Sequence, residues 1–282
     1  MADPKSSKKS SSKPDFATIG GLILAVGGIA AGLMMEGGKV QDVAQVTSAL
    51  IVLGGTVGAV MITTPLPILI GAAKKFGEVF FGKEESPAAA IEEIIEYAAQ
   101  ARKEGIVSLE AQAAAIADPF LNKALGLAVD GIESSRIRDI MELEIQLLEE
   151  EADAHAKVFE AAGGYAPTIG IIGAVLGLIQ VMKNLANIDE VGRGIAVAFV
   201  ATIYGVASAN ILFLPAAGKL KARGRAGIQI RELMLEGVLS IAEGVNQKLI
   251  RLKLEAYLGH GTAAKGAKKK AQPSAEPVSA EG

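Results

Sequence analysis

Four long stretches of this chain contain no Asp, Glu, Lys, Arg or His: residues 17–35, 46–73, 161–182 and 194–218. A bilayer core about 30 Å thick takes roughly 20 helical residues at 1.5 Å each, so all four are long enough, or nearly so, to cross one. Lipid offers a backbone no hydrogen-bonding partner, so segments of this kind cross as helices. All 28 Lys and Arg and all 31 Asp and Glu of the 282 residues therefore lie outside these runs. With mean hydropathy at +0.37, the chain is too apolar for an ordinary soluble protein and too charged to lie wholly in lipid. An all-α membrane protein with a sizeable aqueous region follows.

The first run follows Lys5, Lys8, Lys9 and Lys13, as a secretory signal would. It exceeds the usual signal core of roughly 7 to 15 residues and three more runs follow, so it reads as a retained span. Basic residues set the orientation. Lys74 and Lys75 follow the second run, and Lys219, Lys221, Arg223 and Arg225 follow the fourth without an intervening acid. The two short loops, 36–45 and 183–193, balance their few bases with acids. Both termini and the long central region are therefore expected in the cytoplasm.

The resulting organisation is a disordered tail (1–15), a transmembrane hairpin (16–73), a cytoplasmic helical block (74–160), a second hairpin (161–218), a C-terminal cytoplasmic helix (219–260) and a second disordered tail (261–282). Within the block, Ser86-Pro87 is a helix start and Gly105 a stop. Ile91, Ile94, Ile95 and Ala98 fall on one face between them. Short helices are expected over 108–117 and 119–129. From Ser134 no Gly or Pro interrupts the pattern before residue 163, so a continuous helix should run into the third span. The stretch 228–257 reads as a helix that can pack beside the fourth span.

Several chemistries are excluded by what is missing. Without cysteine there are no disulfides or thiolate metal sites, and His155 and His260 lack metal-ligand spacing and are expected at the surface. A net charge of −3 argues against nucleic acid as a partner. No phosphate-binding glycine loop or nucleophile constellation is visible, so an enzyme is not expected. Gly28/Gly32, Gly54/Gly58 and Gly173/Gly177 repeat at the spacing that lets membrane helices approach, whether within a hairpin or between subunits.

Pumps and proton relays carry an ionisable group inside the membrane, and these spans carry none. Either the chain conducts nothing, or a partner helix supplies the carboxylate and this chain builds the walls around it. Pro167, Thr168, Thr202 and Pro215 are the polar or helix-breaking positions available for such a wall. Pro167, Gly170 and Ala174 share one helical face, and a proline leaves the carbonyl four residues earlier without its amide partner. On the residues alone, the commoner reading of both prolines is an adjustment of helix ends, since proline is frequent in membrane helices.

Four spans arranged two plus two, "YAPTIGIIGAVLGLIQVM" in the third, "GIAVAFVATIYGVASANILFLPAAGKL" in the fourth and "RELMLEGVLSIAEGVN" after it resemble the A subunit of the flagellar-motor stator, the MotA/PomA family, over residues 16–258. The resemblance implies a homopentamer around a peptidoglycan-anchored B-type partner (MotB/PomB-like) whose single span carries the ion-binding aspartate. It implies an inner-membrane location and no cofactor. It carries the coupling prolines to Pro167 and Pro215, and the residues facing the rotor ring protein FliG to Arg102 and Glu110, with Lys103 beside them. Sodium-driven relatives have threonine where this sequence has Ala174, while Thr202 is retained; one hydroxyl fewer favours protons over sodium. Gln247 stands where relatives often have proline. The alternatives are an energy transducer of the ExbB/TolQ type, expected to have three spans, and a membrane scaffold without ion flux. A solute carrier is disfavoured by the small number of spans and the lack of a polar midplane site.

Overall fold

The computed structural model describes residues 13–82, 86–113 and 115–258. The tails expected to be disordered lie almost wholly outside the described residues, as does His260. In chain order the helices are α1 (Phe16–Met35), α2 (Val46–Ala49), α3 (Gly55–Thr63) and α4 (Leu66–Phe80). Next come α5 (Pro87–Glu104), α6 (Glu110–Ala113), α7 (Pro119–Val129) and α8 (Ser134–Lys183). The last are α9 (Ile188–Ala207), α10 (Leu214–Ala242) and α11 (Gln247–Glu255). A two-residue antiparallel pairing of Lys13–Pro14 with Phe81–Gly82 is the sole extended pairing among the described residues. Four helices are long and apolar enough to cross a membrane, with mean hydropathies between 1.7 and 2.0. The fold is all-α with four candidate spans.

The chain divides into two compact units, residues 1–84 with 149–225 and residues 85–148 with 226–282. In the first, Asp15 caps α1 by accepting a hydrogen bond from the Thr18 amide. No residue of α1 is buried. The second span is α2 and α3 joined by a π-helical turn at Leu50–Gly54. It ends at Thr63, earlier than the expected residue 73, because Pro65 disfavours helical backbone at the residue before it and Thr64 is extended (φ −125°, ψ 130°). The residues beyond form the separate helix α4, whose Ala72, Phe76 and Val79 join a cluster with Ala156, Phe159 and Ala216. There the Phe76 and Phe159 rings stack with centroids 5.4 Å apart. His155 is not at the surface: it is 8 % exposed and lies over Gly71, where the lack of a side chain leaves room for the imidazole.

α8 is one helix of 50 residues with Pro167 inside it. α9, a second π-helical segment at Ser208–Phe213 and α10 follow without a break from Ile188 to Ala242. The helix that carries the fourth span thus begins six residues before 194, and the segment after the span continues the same helix. The reversal comes at Gly244, whose φ of 69° suits glycine.

The second unit is a water-type helical core. Ile91 and Ile94 of α5, Leu121 and Leu125 of α7, Ile137 and Met141 of α8, Leu233 of α10 and Ile250 of α11 are each at most 1 % exposed. Ion pairs tie its helices: Arg251 to Glu92 at 2.5 Å, Lys123 to Glu144 at 2.6 Å, and Glu236 to both Lys253 and Arg138. The helix expected over 108–117 is shorter, a 3₁₀ turn at Ile106–Leu109 and the single turn α6. The Asn122 side chain takes the Ala113 carbonyl at 2.6 Å, and Ala115 bonds back only three residues to Gln112, so the α-helical ladder stops.

Candidate functional site

The third and fourth spans pack through matching stripes of small residues. Ala166, Gly170, Gly173 and Gly177 on α8 face Gly205, Ala201, Ala198 and Gly194 on α9, and all eight are buried. A β-carbon added at Gly205 would lie 2.6 Å from the Ala166 carbonyl oxygen and 3.2 Å from Pro167 Cα. One at Gly177 would lie 2.7 Å from the Gly194 carbonyl oxygen, and one at Gly194 would lie 2.9 Å from that of Gly177. Backbone meets backbone at these crossings, the contact that gives membrane helices their attraction when lipid is as apolar as leucine. The spacing of four, three and four residues is present in the sequence on both helices. A β-carbon added at Gly28, Gly32, Gly54 or Gly58 would meet nothing within 4 Å among the described residues.

This packing assigns the expected pathway residues to layers. Pro167 lies against Gly205, whereas Gly163, one turn earlier on α8, meets the Leu214 side chain next to Pro215. From Gly205, which faces Pro167, the helix runs ten residues further to Pro215, so the two prolines lie at different depths along the hairpin. Gly173 touches Ala201, and because the helices run antiparallel, Ala174 and Thr202 step away from that contact in opposite directions, about 3 Å apart in depth. Thr168, Thr202 and Pro215 are exposed, Pro167 and Ala174 half-buried. Thr168 Oγ1 donates to the Tyr165 carbonyl at 2.8 Å and Thr202 Oγ1 to the Ala198 carbonyl at 3.0 Å, so each hydroxyl keeps its lone pairs for another donor or a cation.

Sequence reasoning passed over a clamp at the head of the second span. Tyr204 on α9 donates to the Val43 carbonyl at 2.6 Å and accepts from the Gln45 amide at 3.2 Å. Ser48, fully buried, reaches Gln45 and the Val197 carbonyl. At the other end of this unit, Lys219 and Arg223 both contact Asp15, at 2.5 and 3.0 Å, and Lys221 contacts Glu160 at 2.7 Å. The hydrogen bonds from Lys219 and from the Thr18 amide hold the Asp15 carboxyl well below the usual carboxylate range. The run of four bases that argued for orientation is thus half neutralised.

In the second unit, Arg102 and Lys103 close α5 and Glu110 opens α6, with Gly105 (φ 85°) making the turn between them. All three charged side chains are exposed, and among the described residues none has an ion-pair partner within 4 Å. Beneath them lies an amide bracket invisible to motif reading. Gln112 donates to Gln100 at 2.5 Å, and Gln100 donates to the Ser108 carbonyl at 3.2 Å. It fixes the turn carrying Glu110 to the helix carrying Arg102.

Two hairpins of uncharged spans, one of them closed backbone to backbone, together with a turn of unpaired charges define a four-span membrane subunit that offers walls for a pathway but no carboxylate inside it. Residues 19–105 match the family described as Motility protein A N-terminal, and residues 112–233 match the MotA/TolQ/ExbB proton channel family. Motility protein A of Bacillus subtilis is 39% identical over 248 residues, covering 86% of this chain and 91% of that protein. Chemotaxis protein PomA of Vibrio alginolyticus is 35% identical, covering 88% and 96%. Among solved structures, MotAB of C. jejuni aligns with TM-score 0.84 at 35% identity, over 88% of this chain and 97% of that one. The flagellar MotAB stator complex of Bacillus subtilis aligns with TM-score 0.81 at 37% identity, over 91% and 100%. The chain belongs to the MotA/TolQ/ExbB proton channel family, among its motility protein A members.

Proposed function

We propose that this chain is the ion-channel subunit of a flagellar motor stator, assembled as a homopentamer with a peptidoglycan-anchored B-type partner in the inner membrane, both termini in the cytoplasm. The observation that carries the reading is the pair of charge-free runs, 161–182 on α8 and 194–218 from α9 onward, closed on each other by their glycines, in a chain that matches stator complexes over nearly its whole length. A hairpin of that kind has backbone and small side chains to offer, so the group that takes up the ion belongs to the partner's span. In this reading an aspartate there is neutralised from one side of the membrane and ionised again on the other. Pro167, Thr168, Ala174, Thr202 and Pro215 form the surface it moves against.

Pro167 supplies the coupling element. It leaves the Gly163 carbonyl without its helical donor, and Gly163 packs on Leu214 beside Pro215, so a shift at one proline is felt at the other. Protons are favoured over sodium because Ala174, close to Thr202 in depth, brings no oxygen there; a hard cation needs oxygen ligands to replace its water. The turn bearing Arg102, Lys103 and Glu110 meets the rotor ring protein FliG. Exposed charges of this kind contribute little to affinity and much to register and encounter. Four candidate spans favour this role over an ExbB/TolQ-type transducer.

The test is motility and ion leak in a deletion strain carrying this chain and its partner. Swimming should stop with a proton uncoupler and persist without sodium, and replacing the partner's aspartate should abolish the leak. Swimming that survives the uncoupler and follows the sodium gradient would overturn the ion assignment. A leak indifferent to the aspartate would favour the scaffold.

A further inference from the structure

Where α1 begins, a cavity of about 490 Å³ opens beside the fourth span, within the size range of small-molecule and cofactor sites. Its walls include Thr18, Gly21 and Leu22 of α1, Phe80 of α4, Pro215 and Lys219. All but Thr18 and Lys219 of these are apolar, and α1 has no buried residue, so this wall faces whatever solvent surrounds the span. One end reaches a charged cluster: Lys219 lines the cavity and shares a single carboxylate, Asp15, with Arg223 one turn on, whose Nη1 is buried without a hydrogen-bond partner. The cluster is therefore one positive charge in excess and one acceptor short. A largely apolar slot open on the α1 side, ending at such a cluster at the edge of a span, suits an acyl chain along its walls and an acidic headgroup at its end.

We propose that this cavity holds an acyl chain of an anionic phospholipid, with the phosphate held by Lys219 and Arg223. The lipid lies against Pro215, so that membrane composition bears directly on the fourth span. Asp15 competes with the phosphate for both cations. This goes beyond the stator reading and needs only that the spans lie in a bilayer.

The stator complex is reconstituted in nanodiscs of equal phosphatidylglycerol and phosphatidylethanolamine, and retained lipids are counted by native mass spectrometry. The wild type should retain phosphatidylglycerol preferentially, and Lys219→Gln should lower that preference roughly fivefold, the effect of one basic residue at a membrane surface. Asp15→Asn, which frees the cations, should raise it; a purely structural ion pair predicts the reverse. Gly21→Phe, at a position where an added β-carbon meets nothing within 4 Å, should lower retention of both lipids. Ala25→Phe on the same wall repeats the reading if the first variant assembles poorly. Retention unchanged in both filled variants, or a preference unaffected by Lys219→Gln, would overturn the proposal. So would disulfide formation between copies through Gly21→Cys, which would assign the cavity to a second copy of this chain. None of these readings involves motility, so their failure leaves the stator reading untouched.

Discussion

The two units of this protein are built from the same secondary structure under opposite rules. In residues 85–148 and 226–258, large apolar side chains face inward: Leu109, Leu121, Leu125, Leu233 and Leu239 are at most 1 % exposed. Charges stand outside, some of them paired, as Arg251 with Glu92 and Lys123 with Glu144. In the membrane unit the apolar side chains face outward, as with Leu24 at 78 % and Ile62 at 88 % exposure, while glycine and alanine fill the helix contacts. The difference follows from the solvent. Water drives leucine into a core at roughly 25 cal/mol per Å² of apolar surface, whereas lipid exerts no such force, so contact must come from close backbone approach. A leucine is thus structural in one unit and interchangeable in the other, and a glycine the reverse.

The strongest test of that contrast is a pair of valines. Gly205→Val sets a side chain against the Ala166 carbonyl and the Gly170 and Pro167 backbones, none of which can yield cheaply. It should abolish the membrane-inserted protein and swimming with it. Gly28→Val enters open space and should leave membrane levels near wild type by immunoblot. If Gly28→Val is equally damaging, the open face of α1 is packed by another copy, which would sharpen the pentamer reading.

Next in size, Leu125→Ala in the water-type core should cost about 2 to 5 kcal/mol and lower the thermal midpoint of the purified complex. Leu24→Ala on the lipid-facing surface of α1 should shift it far less; equal shifts would break the comparison. Reversing an unpaired charge, by Arg102→Glu or Glu110→Lys, should reduce torque in tethered cells while membrane levels stay constant, with partial recovery when a rotor charge is reversed to match. Reversing a paired one, by Glu92→Lys, should instead cost stability, since Arg251 loses its carboxylate.

The smallest effect expected is a pH dependence. Burial alone would raise the Glu236 carboxyl, but the hydrogen bond and charge of Lys253 and the charge of Arg138 outweigh it and hold the group below its ordinary value. A carboxyl depressed by folding stabilises above its unfolded value of about 4.3 and loses that contribution as pH falls through the folded one. The difference in thermal midpoint between wild type and Glu236→Gln should therefore narrow on acidification from neutrality; a gap constant with pH would mean Glu236 acts by packing alone.

The four spans were legible because a charge-free run of 20 residues has few other fates, and the starts at Pro87 and Pro119 because proline at the first turn marks a boundary by its own geometry. The end of the second span is masked in the sequence because α4 is also uncharged at its start, and Pro65 is the one residue that marks the break. The layers of the pathway were half legible. Both small-residue stripes are in the sequence, but their register, Gly205 on Ala166 and Gly177 on Gly194, depends on how two helices meet.

What the sequence determined by itself is whatever depends on local composition: where the chain can enter lipid, where helices begin, and that no charge lies within a span. The tertiary structure alone decided which charges are free and which are spent. Lys219 and Arg223 meet Asp15 from about 200 residues away, Arg251 meets Glu92, and Arg102 and Glu110 meet no counter-ion among the described residues. An ion pair depends on distances of a few ångströms across the fold, and sequence separation carries no information about them.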